Sequence, residues 1–348
     1  MEKVTADALA IDPESVVKEI VDSLRAVVSR ELHRRGGVVG VSGGIDSSVT
    51  VGLSARAFGP ERTLALLMPE TDSDPDTLDI SRQVADAFGA QTVLEDITLI
   101  LEATGCYERR EEAVRSVIPQ YGIGWRFKIV LPSVVGNEGY RLFSLVAQAP
   151  DGETIEVRLP AEQYRTIVAA TNFKQRTRKM LEYFHADRLN YAVIGTPNRL
   201  EYDQGFFVKL GDGAADAKPI AHLYKSQVYQ LARYLGVPNA VLERPPTTDT
   251  YSLPQSQEEF YFSLPYEGMD LCLYAHSKGL PPEAVADAVS LTPEQVQRVY
   301  DDIDQKRRTT RYLHLAPQLV EPIFPPESEK SAKPAALATG EPDRGSAD

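Results

Sequence analysis

Cysteine is almost missing from this chain. Its 348 residues include two, Cys106 and Cys272, so neither a disulfide framework nor a cysteine-rich metal site can be built, and neither thiol lies in a nucleophile motif that would supply a glutaminase. No uninterrupted apolar run approaches the roughly 20 residues that cross a bilayer. The opening Met1-Glu2-Lys3-Val4-Thr5-Ala6-Asp7 is not a signal peptide. Both absences lead us to expect a cytoplasmic protein with no membrane partner. Positive charge is in deficit: 37 Lys and Arg stand against 50 Asp and Glu, a net charge of −13. That balance argues against nucleic acid as the main partner, because binding phosphate over an area needs clustered Lys and Arg. The five histidines, His33, His185, His222, His276 and His314, lack metal-site spacing. Two phosphate motifs are also missing. No Gly-Lys-Ser/Thr ends a Walker loop, and the third glycine of the dinucleotide fingerprint is absent.

What is present is an ordinary soluble composition, 43% hydrophobic and 25% charged, long enough to bury a full core. One stretch organises the rest. Val38-Val39-Gly40-Val41 reads as a buried strand, Ser42-Gly43-Gly44-Ile45-Asp46-Ser47-Ser48 as a small-residue loop, and Ser48 to Phe58 as a helix closed by Gly59-Pro60. The glycines let a ligand approach the main chain. The serines add hydroxyl donors, and the helix N-terminus favours a phosphate or pyrophosphate. Asp46 fits such an anion site only if a cation such as Mg²⁺ lies between it and the phosphates. Alone, the Ser-Gly-Gly turn also fits a plain serine-capped helix.

The remaining rhythm is α/β. Residues 13–35 form an amphipathic helix, 63–68 a strand, 79–88 a helix ended by Gly89, and 91–97 a third strand. This predicts a doubly wound parallel sheet with helices on both faces, whose ligands sit at the carboxyl ends of the strands. From about 121 to 165 the pattern changes. Tyr140–Ala147 and Thr154–Leu159 flank Pro150-Asp151-Gly152, an antiparallel β-hairpin insertion. Helices follow near 172–186, 225–235, 267–279, 282–289 and 293–308, with a strand at 191–194. One domain over 1–324 is expected, and 325–348 reads as a disordered tail.

Two further stretches carry charge in suggestive places. Gly195 to Lys225 sets Glu201, Lys209, Asp212, Asp216 and Lys225 among small residues, a pattern able to hold Mg²⁺ and neutralise a leaving phosphate, or equally a solvated loop with capping aspartates. In Asn172 to Lys179, Arg176 and Lys179 share a helical face, usable for a carboxylate or phosphate or simply solvated. Pro245-Pro246-Thr247-Thr248-Asp249 is either a loop entering a binding site or a rigid turn.

Taken together, these strings resemble the ammonia-using NAD⁺ synthetase family of the ATP-pyrophosphatase superfamily, whose fold is adenine nucleotide alpha-hydrolase-like. The resemblance spans roughly residues 13–310 outside the insertion. Ser42 to Ser48 is common to the superfamily; Gly195-Thr196-Pro197-Asn198-Arg199-Leu200-Glu201, Gly205 to Asp216 and Leu223 to Val228 are the more specific match. The resemblance implies ATP-dependent amidation of deamido-NAD⁺ by ammonia through an adenylated carboxylate, in a homodimer. It implies pyrophosphate or ATP on Ser42, Gly43, Gly44, Ile45, Asp46, Ser47, Ser48, Thr196, Lys225 and Thr247. Mg²⁺ falls on Asp46 and Glu201, and deamido-NAD⁺ on Arg176, Lys209, Asp216 and Lys306, with Asp46, Lys225 and Asp212 as catalytic positions. Two features depart from the family pattern. The insertion intervenes before the Asn172 to Arg176 helix, and Gln305-Lys306 stands where a His-Lys pair is usual. An amidoligase on another carboxylate, or one fed by a separate glutaminase, is the alternative.

Overall fold

A computed structural model describes residues 3–136, 142–245, 250–262 and 264–321. Four short strands, β1 (Gly37–Val41), β2 (Thr63–Leu67), β3 (Gln91–Leu94) and β7 (Ala192–Val193), form a parallel sheet in the order β3-β2-β1-β7. Their side chains alternate between two faces, as a pleat requires. Val39, Val41, Ala65, Leu67 and Ala192 point to one core, while Val38, Leu64, Leu66 and Val193 point to the other. Helices α1 (Pro13–Ala26), α2 (Ile45–Phe58) and α3 (Thr77–Phe88) cover the first face together with α8 (Lys225–Leu235) and α9 (Asn239–Leu242). The second face is covered by α4 (Thr98–Ala103), α5 (Cys106–Val117) and the 29-residue α6 (Ala161–Leu189). The expected doubly wound sheet is the one observed.

The insertion is larger than a hairpin. It contains β4 (Arg126–Val130), β5 (Ser144–Gln148) and β6 (Thr154–Arg158), an antiparallel sheet in the order β4-β5-β6. β5 and β6 are the expected pair, joined through Pro150-Asp151-Gly152, with Gly152 at φ +92°. β4 was not anticipated; 13 residues separate it in sequence from its partner β5, so no tight-turn signal announces it. Phe127, Ile129, Leu145 and Ala147 are buried and pack with Val114 of α5 and Ile167 of α6. β4 also braces a distant segment. Phe127 N–H donates to Ser252 Oγ at 3.0 Å, and Leu253 N–H donates back to the Phe127 carbonyl at 3.1 Å, while Leu131 N–H reaches the Glu259 carbonyl.

A third group of helices completes the body: α7 (Arg199–Gln204), α10 (Tyr266–Ser277) and α11 (Pro293–His314), gathered around Leu200, Met269, Leu273, Val299 and Ile303. Residues 282–289 carry a short 3₁₀ turn, Pro282–Ala284, in place of the expected helix. The part from Leu315 is a separate unit, and its described residues, 315–321, contain no helix or strand. Tyr140, Arg141, Thr247 and the segment 325–348 lie outside the described residues. Among the described residues no helix is long and apolar enough to cross a membrane.

Candidate active site

The loop after β1 leaves the sheet where strand order reverses between β1 and β7, the place where open α/β sheets form a crevice. Gly43 is left-handed at φ +68°, and a Cβ there would meet Ile80 at 3.1 Å. The helix starts at Ile45, three residues earlier than its pattern suggests, because Ser48 N–H donates to the Gly44 carbonyl at 3.1 Å. The hydroxyls of Ser47 and Ser48 also donate to that carbonyl, at 3.0 and 2.9 Å, and Ser42 N–H donates to Ser47 Oγ at 3.3 Å. Ser42, Gly44, Ile45, Asp46 and Ser47 line a cleft of about 560 Å³; Gly43 and Ser48 do not.

Asp46 stands at the centre of a polar constellation. Its Oδ2 is paired with Lys225 Nζ, at the first position of α8, and its Oδ1 accepts from Asn198 Nδ2 at 3.0 Å. Asn198 is also the cap of α7. Its side chain accepts from Glu201 N–H at 3.1 Å, and Glu201 Oε2 accepts from Asn198 N–H at 3.3 Å, the reciprocal pair of a capping box. Gln257 Nε2 donates to Glu201 Oε1 at 3.1 Å. Burial, and then the nearby Asp46 charge, push the Glu201 carboxyl up to about 8. Burial alone would lower the Lys225 ammonium, but the Asp46 and Glu201 carboxylates outweigh it and hold it above its ordinary value.

Two adjacent carboxylates of hard oxygen donors suit Mg²⁺, which binds through one or two carboxylates and takes its other ligands from water and phosphate. Among the described residues no cluster of three or more His, Cys, Asp or Glu could hold a metal, so the Asp46 and Glu201 pair is what the described site offers a cation. Burial, more than the neighbouring Asp46 charge, raises Glu201, and a divalent cation between the two carboxylates would favour their charged forms.

The other expected residues separate into two sets. Thr196, Arg176, Lys209 and Asp212 line the same cleft. Arg176 Nε donates to the Lys209 carbonyl at 3.4 Å, and Asp212 Oδ1 accepts from Val208 N–H at 2.8 Å; burial raises its carboxyl. Asp216 and Lys306 stand outside the lining. Asp216 accepts from Val193 N–H at 2.8 Å and from the Tyr183 hydroxyl at 3.2 Å. Lys306 Nζ donates to the Tyr261 carbonyl at 2.7 Å and pairs with Asp302 at 2.7 Å.

Three further groups belong to the site: Lys174 and Lys179 line the cleft and Asn198 stands beside it, and of these only Lys179 had a use readable from the sequence, as a helical-face cation for a carboxylate or phosphate. Asn198 joins Asp46 to Glu201, and its Asn-x-x-Glu capping spacing was the available signal. Lys179 pairs with Glu182 at 2.6 Å, both buried. Lys174, 2% exposed, is held by Glu70 at 2.8 Å, Asp72 at 2.7 Å and the Thr250 carbonyl at 3.0 Å; nothing local in sequence announces partners a hundred residues away.

With this geometry in hand, comparison with known proteins is informative. The sequence model of NAD synthase matches residues 16–117 and 153–312. The chain belongs to the NAD synthase family. A curated relative, the NH(3)-dependent NAD(+) synthetase of Rhizobium rhizogenes, is 59% identical over 320 residues, 92% of this chain and 96% of that protein. Two solved structures share the fold at 22% identity. One is an NMN synthetase from Francisella tularensis, TM-score 0.61, covering 90% of this chain and 100% of that one. The other is an NH3-dependent NAD synthetase from Campylobacter jejuni, TM-score 0.58, covering 89% and 100%. The NAD synthase pattern omits residues 118–152, the stretch that contains β4 and β5.

Proposed function

We infer that this protein is an ATP-dependent carbon–nitrogen ligase that amidates the nicotinate carboxylate of deamido-NAD⁺ with ammonia. The observation that carries the reading is the Asp46–Lys225–Asn198–Glu201 constellation beside the Ser42–Ser47 turn, in a chain of the NAD synthase family. A carboxylate is a poor electrophile and must first be activated. One carboxylate oxygen attacks the α-phosphorus of ATP, the bond from that phosphorus to the β-phosphate oxygen breaks, and pyrophosphate leaves. Ammonia nitrogen then attacks the acyl carbon, the carbon–oxygen bond to AMP breaks, and the nitrogen gives up a proton to leave the amide.

The residues divide the work by position. Ser42, Gly44, Ser47 and the start of α2 receive pyrophosphate through N–H and hydroxyl groups and the helix dipole. Gly43 gives the turn its shape, and Ser48 fixes the helix start. Lys225 brings a desolvated positive charge to the departing phosphates, Thr196 contacts ATP, and the same role is proposed for Thr247, which lies outside the described residues. Asp46 and Glu201 would hold Mg²⁺, which would neutralise phosphate charge. Asn198 and Gln257 fix the orientation of those carboxylates. Arg176 and Lys209 attract the acceptor phosphates, with Asp212 beside them, while Asp216 and Lys306 act at the edge of the acceptor site. The working form is a homodimer.

Incubation of the purified protein with ATP, Mg²⁺, ammonia and deamido-NAD⁺ tests the reading. NAD⁺, AMP and pyrophosphate should form in equal amounts. AMP release without NAD⁺ would reject deamido-NAD⁺ as the acceptor.

A further inference from the structure

Helix α6 walls the cleft along much of its length. Tyr164, Val168, Thr171, Gln175, Lys179 and Glu182 all line it, and steps of three or four residues keep them on one helical face. From Tyr164 to Glu182 that face extends about 27 Å at 1.5 Å per residue. Its two ends differ in chemistry. At the Glu182 end lie the Lys179–Glu182 ion pair and Gly40 of β1, where a Cβ would come within 2.9 Å of Glu182 Oε1; the Ser42 turn follows directly. At the Tyr164 end the lining is aromatic. Phe143 stacks on Tyr164 with ring centroids 4.2 Å apart and planes 17° from parallel, and Tyr251 and Phe260, 5.7 Å apart, line the cleft in the same cluster. Phe143 and Tyr164 are both half-buried, so each keeps part of its ring open.

The two stacked rings have different origins. Tyr164 lies within the region matched by the NAD synthase pattern, whereas Phe143 lies in the stretch, 118–152, that the pattern omits. The inserted sheet holds it in place: Leu159 N–H donates to the Phe143 carbonyl at 2.8 Å, and Ser144, next in sequence, begins β5.

We propose that Phe143 and Tyr164 form a base-stacking subsite, built by the insertion, for the adenine of the dinucleotide acceptor. The proposal rests on the reading that the acceptor is a dinucleotide. In that reaction the acceptor carboxylate must meet the α-phosphate of ATP at the Ser42 end. The adenine of ATP is tied to the same end by its triphosphate. The adenosine half of the acceptor is the flat group that extends away from the reacting atoms, toward an uncharged aromatic wall. Stacking needs a π-face and no particular hydrogen bonds, and removing one aromatic platform weakens binding of a base about tenfold. The subsite therefore separates a dinucleotide acceptor from its mononucleotide half, which has no adenine.

Phe143→Leu removes the ring and keeps an apolar side chain; Phe143→Trp keeps a ring. In steady-state assays Phe143→Leu should raise KM for deamido-NAD⁺ about tenfold, leave KM for ATP unchanged, and leave KM for the mononucleotide half of the acceptor unchanged. Phe143→Trp should restore the wild-type KM. A rise in KM for ATP would assign the stack to the co-substrate and overturn the proposal. An unchanged KM for deamido-NAD⁺ in Phe143→Leu would overturn it, and so would parallel losses on all substrates with a lowered melting temperature. Calorimetric titration with deamido-NAD⁺ separates this proposal from the reaction it rests on. Phe143-dependent binding without NAD⁺ formation refutes the reaction and keeps the subsite; NAD⁺ formation with binding indifferent to Phe143→Leu does the reverse.

Discussion

Asp46 is engaged by two donors, Lys225 Nζ and Asn198 Nδ2. Asp46→Asn keeps the shape and removes the charge. Turnover should fall by about 10²-fold or more while the far-UV circular dichroism spectrum is unchanged; near-wild-type turnover would remove Asp46 from the machinery. Glu201 adds a pH signature. Burial raises its carboxyl to about 8, so Glu201 holds a proton below that pH, and the Mg²⁺ proposed for this site would have to displace it. Apparent Mg²⁺ affinity should therefore rise about tenfold per pH unit up to about 8 and then level off. Glu201→Gln should need more Mg²⁺ and lose that slope, measured by Mg²⁺ titration of activity from pH 6 to 9. At this scale the sequence was legible where chemistry clusters locally, as in Ser42 to Ser48 and Asn198 to Glu201. It was silent on Gln257 and Lys174, whose partners are set only by the folded chain.

The helices and strands carry predictions of their own. α8 begins under the side chain of Asp270 on α10: Ser226 N–H donates to its Oδ2 at 2.7 Å. Burial raises the Asp270 carboxyl to about 6, against an ordinary 3.8, so the folded protein holds this proton more tightly than the unfolded chain does. Its contribution is thus favourable near pH 4 and is lost as pH rises to about 6, by about 3 kcal/mol. Asp270→Asn retains an oxygen for Ser226 without the charge. Its stability relative to wild type should improve by that amount between pH 4 and 7 in urea melts. Lys174→Met leaves Glu70 and Asp72 buried with one cation fewer, and should cost about 3–5 kcal/mol by the same measurement. The limits of α8 were read to the residue because its apolar period is clean. α6 was read as 172–186 but runs from Ala161 to Leu189. Sheet, insertion and α5 surround it, so buried Ile167, Thr171, Lys174 and His185 fall on several faces and blur the amphipathic signal.

Across the whole molecule, the fold class followed from the β-α-β rhythm because β1 and β2 are short, apolar runs and helices separate β1, β2 and β3 in the chain. The insertion was visible as a break in that rhythm, yet its third strand was not, because β4 owes its place to Ser252, Leu253 and Glu259 as much as to β5. The homodimer is an expectation of the same order: sedimentation equilibrium should return twice the chain mass, and a monomer at assay concentration would confine the site to one subunit.

A continuous helix beside both ends of the cleft also acts as a ruler. A single residue added to α6 between Tyr164 and Glu182 would turn everything beyond it by about 100° and advance it by about 1.5 Å. The Tyr164 end would then face away from the crevice while Lys179 and Glu182 kept their places. Seven added residues would nearly restore the face but lengthen the crevice by about 10 Å. The spacing between the phosphate end and the aromatic end can therefore change only in steps of whole helical turns, and not gradually. Within the cleft, the distance between its two ends is a quantised property of one helix.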